Sequence, residues 1–373
     1  MNILRVACIP GHRGGGMARY IHNVSDKLRD EGHVVEHVFA PDMNATSSKS
    51  YGYLDRFLTT YRAAQAVQRI LASGREYDVV DIHEPIAAFY AWKRSRNRSL
   101  PPLIVSVYGL EARSHLARQD YLRNKGIKID LRTRYSPLSV VWQANYALRH
   151  ADHITVETTE DVEYLSQQMK IPVSRITRQL GGVTEQYFAG TQTSQSNFLY
   201  AGTWIERKGI RELVWAFTDV AATHPNCTLT VMGAGVSNQR VLDDFPSDMH
   251  DRVRFATPTV NDIELAAVYH SQSILLLPTS FEGLPLVVIE AAAAGLAIVT
   301  TPICGMKDMF RHEENSLIVP VGDEHALART MRRLLDEPML GRRLGEAAKE
   351  TARTYTWEQS AQQYLAACKA AVG

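Results

Sequence analysis

Two glutamates stand eight residues apart where a loop leads into a helix. The segment over residues 281–290 reads Phe-Glu-Gly-Leu-Pro-Leu-Val-Val-Ile-Glu, so the two acids are Glu282 and Glu290. Pro285 suits the first position of a helix, because its missing N–H is not needed there. Glu282 then precedes the helix and Glu290 lies in its second turn. At about 1.5 Å per residue the acids are roughly 8 Å or more apart, so one elongated ligand can reach both.

The backbone between the two acids favours an anion. The amides of Gly283 and Leu284 lie at the predicted helix N-terminus, where N–H groups and the helix dipole attract phosphate. The carboxylates cannot bind phosphate, but they accept hydrogen bonds from hydroxyls. The predicted ligand presents hydroxyl, diphosphate and hydroxyl, the order of sugar, diphosphate and ribose in a nucleotide sugar. The alternative for an isolated spacing of this kind is a helix whose glutamates face solvent.

Two adjacent cations follow the first predicted strand of the second half of the chain. Residues 201–210 read Ala-Gly-Thr-Trp-Ile-Glu-Arg-Lys-Gly-Ile and place Arg207 and Lys208 in a loop. Beside a diphosphate, such cations stabilise the negative charge that grows as the nucleotide leaves. A solvated basic turn is the alternative. The glycine turn at Gly233, after the next strand, is a further candidate for contact with the nucleotide.

A glycine-rich loop also follows the first strand of the chain. Residues 10–19 contain Gly14, Gly15 and Gly16 just before a predicted helix, where exposed amides can approach an anion. A simple flexible loop fits the residues equally well. The dinucleotide fingerprint G-x-G-x-x-G is absent, which disfavours a dehydrogenase.

Polar residues at the ends of the third and fourth predicted strands are candidates for contact with an acceptor. His83 and Glu84 end the strand at 79–83 and could bind an acceptor or take its proton. A structural histidine is an equal alternative at position 83. Tyr108 can donate or accept a hydrogen bond but is no base at neutral pH. Glu111 stands close after the same strand.

Composition indicates a globular protein and names no partner. The chain has 373 residues, 41 Lys plus Arg against 40 Asp plus Glu, and 45% hydrophobic residues. Its four cysteines are scattered, so they predict neither a disulfide framework nor a zinc site. The apolar run at the N-terminus is too short for a signal peptide, and no apolar run reaches 18 residues. We therefore expect a cytoplasmic protein.

Short apolar runs alternate with helical stretches, the pattern of parallel α/β sheets buried on both faces. The predicted strands of the first half are 3–9, 34–40, 79–83, 103–108 and 153–157. Those of the second half are 198–201, 228–232, 253–255, 274–277 and 297–300. The polar run at 190–197 reads as a linker. We predict two Rossmann-like domains, an acceptor-side domain at 1–190 and a nucleotide-sugar donor domain at 197–355, with a ligand cleft between their strand ends.

Residues 281–290, with the strand before them and the Ala-rich run after them, resemble the signature of retaining glycosyltransferases of GT-B family 4, the group 1 glycosyl transferases. Residues 202–209 are similar to the family pattern G-R-x-x-x-x-K-G, except that Thr203 stands where many relatives have arginine. Lys208 matches the family's cation, and Arg207 is a candidate substitute. Gly15 and Gly16 match the family's glycine pair, and Gly233 resembles its glycine turn near the nucleotide.

The resemblance implies an activity as well as a fold. It implies that residues 356–373 form a helix that crosses back to the first domain. It also implies transfer of a sugar from a nucleoside diphosphate to an acceptor hydroxyl, with retention and without a metal, in glycan, polysaccharide or glycolipid assembly. In that scheme Glu282 contacts the donor sugar, Glu290 the ribose, Arg207 and Lys208 the diphosphate, and the amides at Gly15 and Gly16 the phosphate or acceptor.

Two departures from the family lie in the first half. Tyr108 stands where many relatives have histidine, and residues 180–184 read Leu-Gly-Gly-Val-Thr in place of Pro-Asn-Gly-Val-Asp. Both departures leave the fold expectation intact but put the acceptor or donor sugar in question. They also keep open a non-catalytic partner subunit of the same fold. A hydrolysing sugar-nucleotide epimerase shares the layout but lacks the paired glutamates.

One stretch of the chain has a marked charge asymmetry. Residues 93–134 contain eleven Lys or Arg and three Asp or Glu, with apolar and aromatic residues among them. Such a stretch can bind an anionic membrane surface or the phosphates of a lipid-linked acceptor. A solvated basic face is the alternative. Nucleic acid fits less well, because no recognition motif accompanies the charge.

Overall fold

The protein has two compact α/β units. The structure is a computed structural model that describes residues 1–45, 53–190 and 197–373. Unit 1 comprises Met1–Leu180 and Trp357–Gly373, and unit 2 comprises Gly181–Thr356. The predicted linker at 190–197 lies largely outside the described residues, since 191–196 are not among them.

Unit 1 is built on a six-stranded, all-parallel sheet with the order β2-β1-β3-β4-β5-β6. Its strands are β1 Asn2–Val6, β2 Val34–Val38, β3 Val79–His83, β4 Leu103–Ser106, β5 His153–Val156 and β6 Ile176–Arg178. The helices between them are α1 Gly16–Asp30, α2 Tyr53–Ala72, α3 Ala88–Arg96, α4 Glu111–Asn124, α5 Leu131–Tyr135, α6 Val140–His150 and α7 Thr159–Glu163. The strands β3, β4 and β5 are buried along their whole length, as expected for a sheet covered by helices on both faces.

Unit 2 repeats this architecture with the strand order β12-β11-β10-β7-β8-β9, again all parallel. Its strands are β7 Asn197–Ala201, β8 Thr228–Met232, β9 Val253–Phe255, β10 Ile274–Leu277, β11 Ala297–Thr300 and β12 Leu317–Ile318. Its helices are α8 Ile210–Ala221, α9 Asn238–Leu242, α10 Asp262–His270, α11 Leu286–Ala293, α12 Cys304–Met309, α13 Glu324–Asp336 and α14 Pro338–Ala352. Two Rossmann-like series are therefore present, as the alternating pattern predicted.

The last helix of the chain, α15 Trp357–Val372, belongs to unit 1. The Tyr364 hydroxyl donates to Asp81 Oδ2 on β3 at 2.9 Å, and Gln363 Oε1 accepts from the Leu180 amide at 2.8 Å. Trp357 packs edge-on against Tyr20 of α1, with ring centroids 5.6 Å apart. The expectation of a C-terminal helix on the first domain is confirmed.

The first unit ends ten residues before the predicted boundary at 190. Residues 181–190 pack with unit 2, where the Val183 amide donates to Tyr355 O at 3.1 Å. Thr184 Oγ1 donates to Asp262 Oδ2 at 3.2 Å, and Tyr187 packs on Tyr269 with centroids 5.6 Å apart. The last two contacts join the segment to α10, which sequence patterns do not reveal.

Three general findings concern membranes, metals and thiols. Within the described residues, no helix is both long and apolar enough to cross a membrane. The same residues contain no group of three or more His, Cys, Asp or Glu arranged to hold a metal ion. The four cysteines, all within the described residues, form no disulfide, and three of them are buried.

Candidate functional site

The loop after β7 lies beside the glycine turn after β8. The Gly202 amide donates to Met232 O at 2.9 Å, and the Trp204 amide donates to Ala234 O at 2.7 Å. Gly233 adopts a positive φ of 70°, which suits glycine because it lacks a Cβ. Since parallel neighbours end at the same edge of a sheet, the predicted cation loop and Gly233 share the edge where α/β sheets place ligands.

Gly209 fixes the cation loop against the end of β10. Its φ is 74°, and a Cβ at this position would lie 2.0 Å from the carbonyl oxygen of Pro278. The carbonyl of Arg207 accepts from the Ser280 amide at 2.8 Å and from Thr279 Oγ1 at 3.0 Å. Only glycine permits this close approach, which brings Arg207 and Lys208 to the segment that carries Glu282.

Glu282 is the centre of a buried ion cluster. Its Oε1 lies 2.6 Å from Lys208 Nζ and 2.9 Å from Arg207 Nη1, and it accepts from Thr279 Oγ1 at 3.2 Å. Glu282 and Lys208 are each only 8% exposed. Burial by itself raises the pKa of Glu282, but the charges of Lys208 and Arg207 outweigh it and lower that pKa. Glu282 is therefore an anion at neutral pH.

Glu290 lies in the second turn of α11, as predicted, although the helix begins one residue later than expected. Pro285 is the capping residue with a ψ of 130°, and Leu286 is the first helical residue. Glu290 is 3% exposed, and its Oε2 accepts from the hydroxyl of Tyr269 at 2.7 Å. Because both acids are buried and hydrogen-bonded, the alternative of two solvent-facing glutamates is wrong.

Gly283 and Leu284 lie between the two acids and pack against the start of α12. The Gly305 amide donates to Gly283 O at 3.1 Å, and a Cβ on Gly305 would lie 2.8 Å from that oxygen. Leu284 is buried. The predicted phosphate-facing backbone is thus held on its other side by a tight contact between two turns.

The glycine loop of unit 1 leaves open space at the start of α1. Gly15 caps the helix with a φ of 93°, and Gly16 is its first residue. A Cβ on either glycine would meet no atom within 4 Å. His22 Nε2 lies 3.1 Å from Gly11 O and ties the loop to α1. The geometry leaves room for a ligand at the predicted glycine pair.

His83 belongs to a buried polar network instead of the surface. It is 2% exposed and stacks on Tyr108 with ring centroids 5.2 Å apart. Its neighbour Asp81 accepts from Arg5 Nε at 3.0 Å. Burial lowers the pKa of His83 despite the nearby Asp81 charge. Its Nε2 lies 3.4 Å from Asp81 Oδ2, and neither ring nitrogen has a hydrogen-bond partner among the described residues. Contact of His83 with an acceptor stays a prediction.

Tyr108 lies with its hydroxyl buried in the same network. The hydroxyl has no hydrogen-bond partner among the described residues, and the charges of Arg5 and Asp81 lie near it. Burial raises the pKa of Tyr108. Tyr108 is therefore a neutral phenol at physiological pH, in agreement with its exclusion as a base.

Glu84 and Glu111 form a carboxyl pair at the ends of β3 and β4. Glu84 is half-buried, and its Oε1 has no hydrogen-bond partner among the described residues. Glu111 is the first residue of α4. Burial, followed by the charge of Glu111, raises the pKa of Glu84 well above its usual range. Of the four acceptor-side candidates, these two are the best placed to meet a ligand at the sheet edge.

Three residues of the site were not predicted from the sequence. Thr279 bonds Glu282, Tyr269 bonds Glu290, and Gly209 permits the loop contact. Thr279 lies two residues after the buried strand β10 and two residues before the signature at 281–290, which is a usable signal. Tyr269 lies 21 residues before its partner on another helix, and nothing in the local pattern indicates that contact.

Two family models match the chain, one in each half. The model described as Glycosyltransferase Family 4 matches residues 14–186, and the model described as Glycosyl transferases group 1 matches residues 195–337. Together the matches include the glycine loop, the cation loop and both glutamates.

Curated relatives point to the same family. A glycogen synthase from Mycobacterium tuberculosis (strain CDC 1551 / Oshkosh) is 29% identical over 181 residues, which are 47% of this chain and 44% of that protein. The chain therefore spans less than half the length of that relative. A phosphatidyl-myo-inositol mannosyltransferase from Mycobacterium leprae (strain TN) is 26% identical over 369 residues, 94% of this chain and 92% of that protein.

Solved structures share the fold. Sucrose-phosphate synthase from Thermosynechococcus elongatus aligns with a TM-score of 0.77 and 19% identity over 98% of both chains. Anabaena HepE in complex with UDP-glucose aligns with a TM-score of 0.70 and 14% identity over 98% of this chain and 99% of that one. With both family models, the paired glutamates and the two parallel sheets in agreement, the chain belongs to the group 1, family 4 glycosyltransferases.

Proposed function

We propose that this protein transfers a sugar from a nucleoside diphosphate donor to a hydroxyl of an acceptor. The observation that carries the proposal is the convergence of Arg207, Lys208 and Glu282 at one edge of the unit 2 sheet. Two cations and one anion at that edge match a ligand that has both a diphosphate and hydroxyl groups. The relative solved with UDP-glucose bound has the same fold.

Glu282 is suited to bind the donor sugar while it fixes the positions of Lys208 and Arg207. The hydrogen bonds and ion pairs recorded for Glu282 among the described residues all fall on Oε1. Its second oxygen, Oε2, is then the acceptor for a sugar hydroxyl. A carboxylate kept ionised by Lys208 and Arg207 accepts such a bond more strongly than a neutral group does.

Glu290 is assigned to the ribose. The hydrogen bond from Tyr269 fixes the carboxylate in one orientation on α11. A fixed acceptor can bind ribose hydroxyls without losing side-chain freedom on binding. The Gly233 turn at the neighbouring strand end is assigned to the nucleotide.

The chemistry proposed for this site needs no resident metal. Lys208 and Arg207 would stabilise the charge that develops on the departing diphosphate, which is the task of a metal ion in other transferases. We propose that the acceptor attacks the face from which the diphosphate leaves, and that a phosphate oxygen takes the proton of the acceptor hydroxyl. Retention at the anomeric carbon follows from this single-face reaction.

The acceptor is proposed to bind through unit 1, near Glu84, Glu111 and the Gly15–Gly16 pair. A protonated Glu84 donates a hydrogen bond, and Glu111 accepts one, so the pair fits a polyol or sugar. The name of the Mycobacterium leprae relative specifies a phosphatidyl lipid, which supports a lipid-linked acceptor for this chain.

Kinetics of matched variants test the assignment of the two acids. Glu290→Ala is expected to raise KM for the nucleotide sugar with kcat nearly unchanged, because the ribose contact is equal in substrate and transition state. Glu282→Ala is expected to lower kcat, because its contacts involve the reacting sugar and the cations. Glu206→Ala, in the same loop but paired on the surface with Arg211, is the control. Near-wild-type kinetics for both site variants would refute the assignment.

We also propose that the protein binds peripherally at the inner face of a membrane. The main support is a group of exposed apolar side chains, not the number of basic residues. Several of the basic residues at 93–134 form ion pairs within the protein, including Arg94 and Arg98 with Asp152 and Arg113 with Asp161. Their net attraction for lipid is thereby reduced. The same part of unit 1 exposes a group of apolar side chains, which we call the apolar group: Leu116, Leu131, Tyr135, Leu138 and Trp142.

The apolar group lies on elements that pack together. His115 Nδ1 of α4 lies 2.8 Å from Ser136 Oγ in the turn between α5 and α6. Trp142 is 56% exposed, and aromatic rings with apolar neighbours favour the interfacial zone of a bilayer. Apolar contact would then supplement the attraction between basic side chains and anionic lipid.

Sedimentation with liposomes tests this position. The protein is expected to bind anionic liposomes, more weakly as salt is raised, and a Leu138→Ser, Trp142→Ser double variant is expected to bind several-fold more weakly. Met339→Ser, which replaces an exposed apolar residue of unit 2, is the control. No binding by the wild type at low salt would refute the membrane proposal.

A further inference from the structure

In the structure, Glu282 already serves as the anionic partner of both cations. One oxygen, Oε1, lies 2.6 Å from Lys208 Nζ and 2.9 Å from Arg207 Nη1. Arg207 Nη1 also donates to the carbonyl of Phe281, the residue before Glu282. The two groups assigned to the diphosphate are thus engaged within the protein before any ligand is bound.

We propose that Glu282 is an internal anion that competes with the diphosphate for Lys208 and Arg207, and so lowers the affinity of the site for free diphosphate groups. This rests on the proposed function in one respect, the assignment of the two cations to the diphosphate. In addition, the same carboxylate both binds the donor sugar and repels the diphosphate that leaves.

Burial and charge set the strength of this competition. Glu282 and Lys208 have side chains that are 10% exposed, so water screens their attraction little. A phosphate that approaches Lys208 must either displace Oε1 or share the ammonium with it. Both cost free energy, because the fixed negative charge of Glu282 repels the anion in a weakly screened environment.

The competition discriminates between substrate and product. A nucleotide sugar is a diphosphate diester, whereas the nucleoside diphosphate product has a free terminal phosphate with more negative charge. Repulsion by Glu282 grows with that charge and is largest at the terminal phosphate. Glu282 therefore weakens the binding of product more than that of donor, which favours product release.

Calorimetric binding of inorganic pyrophosphate isolates this effect from the sugar and the base. The measurement compares wild type with Glu282→Gln, which keeps the shape of the side chain and removes its charge. Glu206→Gln removes the same charge from the same loop, where Glu206 pairs with Arg211 instead.

Glu282→Gln is expected to bind pyrophosphate at least about fivefold more tightly than wild type, whereas Glu206→Gln changes binding less than about twofold. Pyrophosphate is also expected to raise the Tm of Glu282→Gln more than that of wild type, which provides a second readout if the variant is less stable. Equal or weaker binding of pyrophosphate by Glu282→Gln would overturn the proposal.

Lys208→Met separates failure of this proposal from failure of the proposed function. If Lys208→Met loses pyrophosphate binding and Glu282→Gln does not gain it, the cations bind diphosphate but Glu282 is not their competitor, and only this inference is overturned. If Lys208→Met binds pyrophosphate as tightly as wild type, the diphosphate assignment is refuted and both fall. Loss in Lys208→Met with gain in Glu282→Gln supports both.

Discussion

Gly209→Ala is expected to damage the candidate site through backbone geometry alone. Gly209 has a φ of 74°, where an L-residue with a Cβ costs about 1–2 kcal/mol. The added Cβ would also lie 2.0 Å from the carbonyl oxygen of Pro278. Relief of such overpacking costs about a further 1–3 kcal/mol, so the expected loss in the free energy of unfolding is about 2–5 kcal/mol.

The clash also has a functional consequence. Backbone atoms cannot give way as the end of a flexible side chain can, so the loop must move away from β10. That movement takes Lys208 and Arg207 away from the sheet edge where the diphosphate is proposed to bind. We expect Gly209→Ala to weaken the binding of pyrophosphate and of nucleotide sugar by about tenfold or more.

Gly126→Ala is the matched control for this experiment. Gly126 has a φ of 66°, and its Cβ would meet no atom within 4 Å, so this variant has the backbone strain without the clash. Urea unfolding is expected to show a loss of about 1–2 kcal/mol for Gly126→Ala, with binding unchanged. A Gly209→Ala protein as stable as Gly126→Ala, with wild-type binding, would refute the reasoning.

Three other changes have clear expected outcomes. Tyr269→Phe removes the hydrogen bond to Glu290 and is expected to raise KM for the nucleotide sugar about tenfold with kcat nearly unchanged, as steady-state kinetics will show. Asp81→Asn leaves Arg5 buried without its partner and should cost about 3–5 kcal/mol in urea unfolding; a loss below about 1 kcal/mol would contradict this. The raised pKa of Glu84 means that its contribution to stability is present below its unfolded pKa of about 4.3 and is lost as pH rises through the folded pKa. Glu84→Gln should therefore gain stability relative to wild type between pH 5 and pH 8, and an unchanged difference would contradict the assignment.

The sequence predicts most of the sheet framework because its strands are short, apolar and buried. Strands β8, β9, β10 and β11 have the predicted bounds. The two strands that the sequence analysis omitted are β6 Ile176–Arg178 and β12 Leu317–Ile318, with three and two residues. Both lie at a sheet edge, where a strand has one neighbour and no continuous apolar run is required.

The site was predictable to the extent that its residues are local in sequence. Glu282 and Glu290 flank one turn, and Arg207 and Lys208 share one loop, so spacing alone indicates them. Arg207 and Glu282, which connect these two segments, lie 75 residues apart in the sequence. It depends on how β7 and β10 pair in the sheet, which is a property of the tertiary fold.

His83 shows how much of a side chain's surroundings local position leaves out. Its place at the end of β3 predicted contact with a ligand, but the sequence does not show that Tyr108 covers it. Nor does it show that Asp81, two residues earlier, is held by Arg5 and by Tyr364 from the end of the chain. Burial of a polar side chain depends on which distant groups satisfy its neighbours.

Donor turnover tests the central claim most directly. UDP-, GDP- and ADP-sugars would be incubated with the purified protein, and NMR would follow both hydrolysis of the donor and the anomeric configuration of the released sugar. Our account predicts selective, slow hydrolysis of one donor class with retained configuration, and its loss in Lys208→Met. If the protein neither binds nor hydrolyses any of these donors, the result contradicts our account and favours a non-catalytic subunit of the same fold.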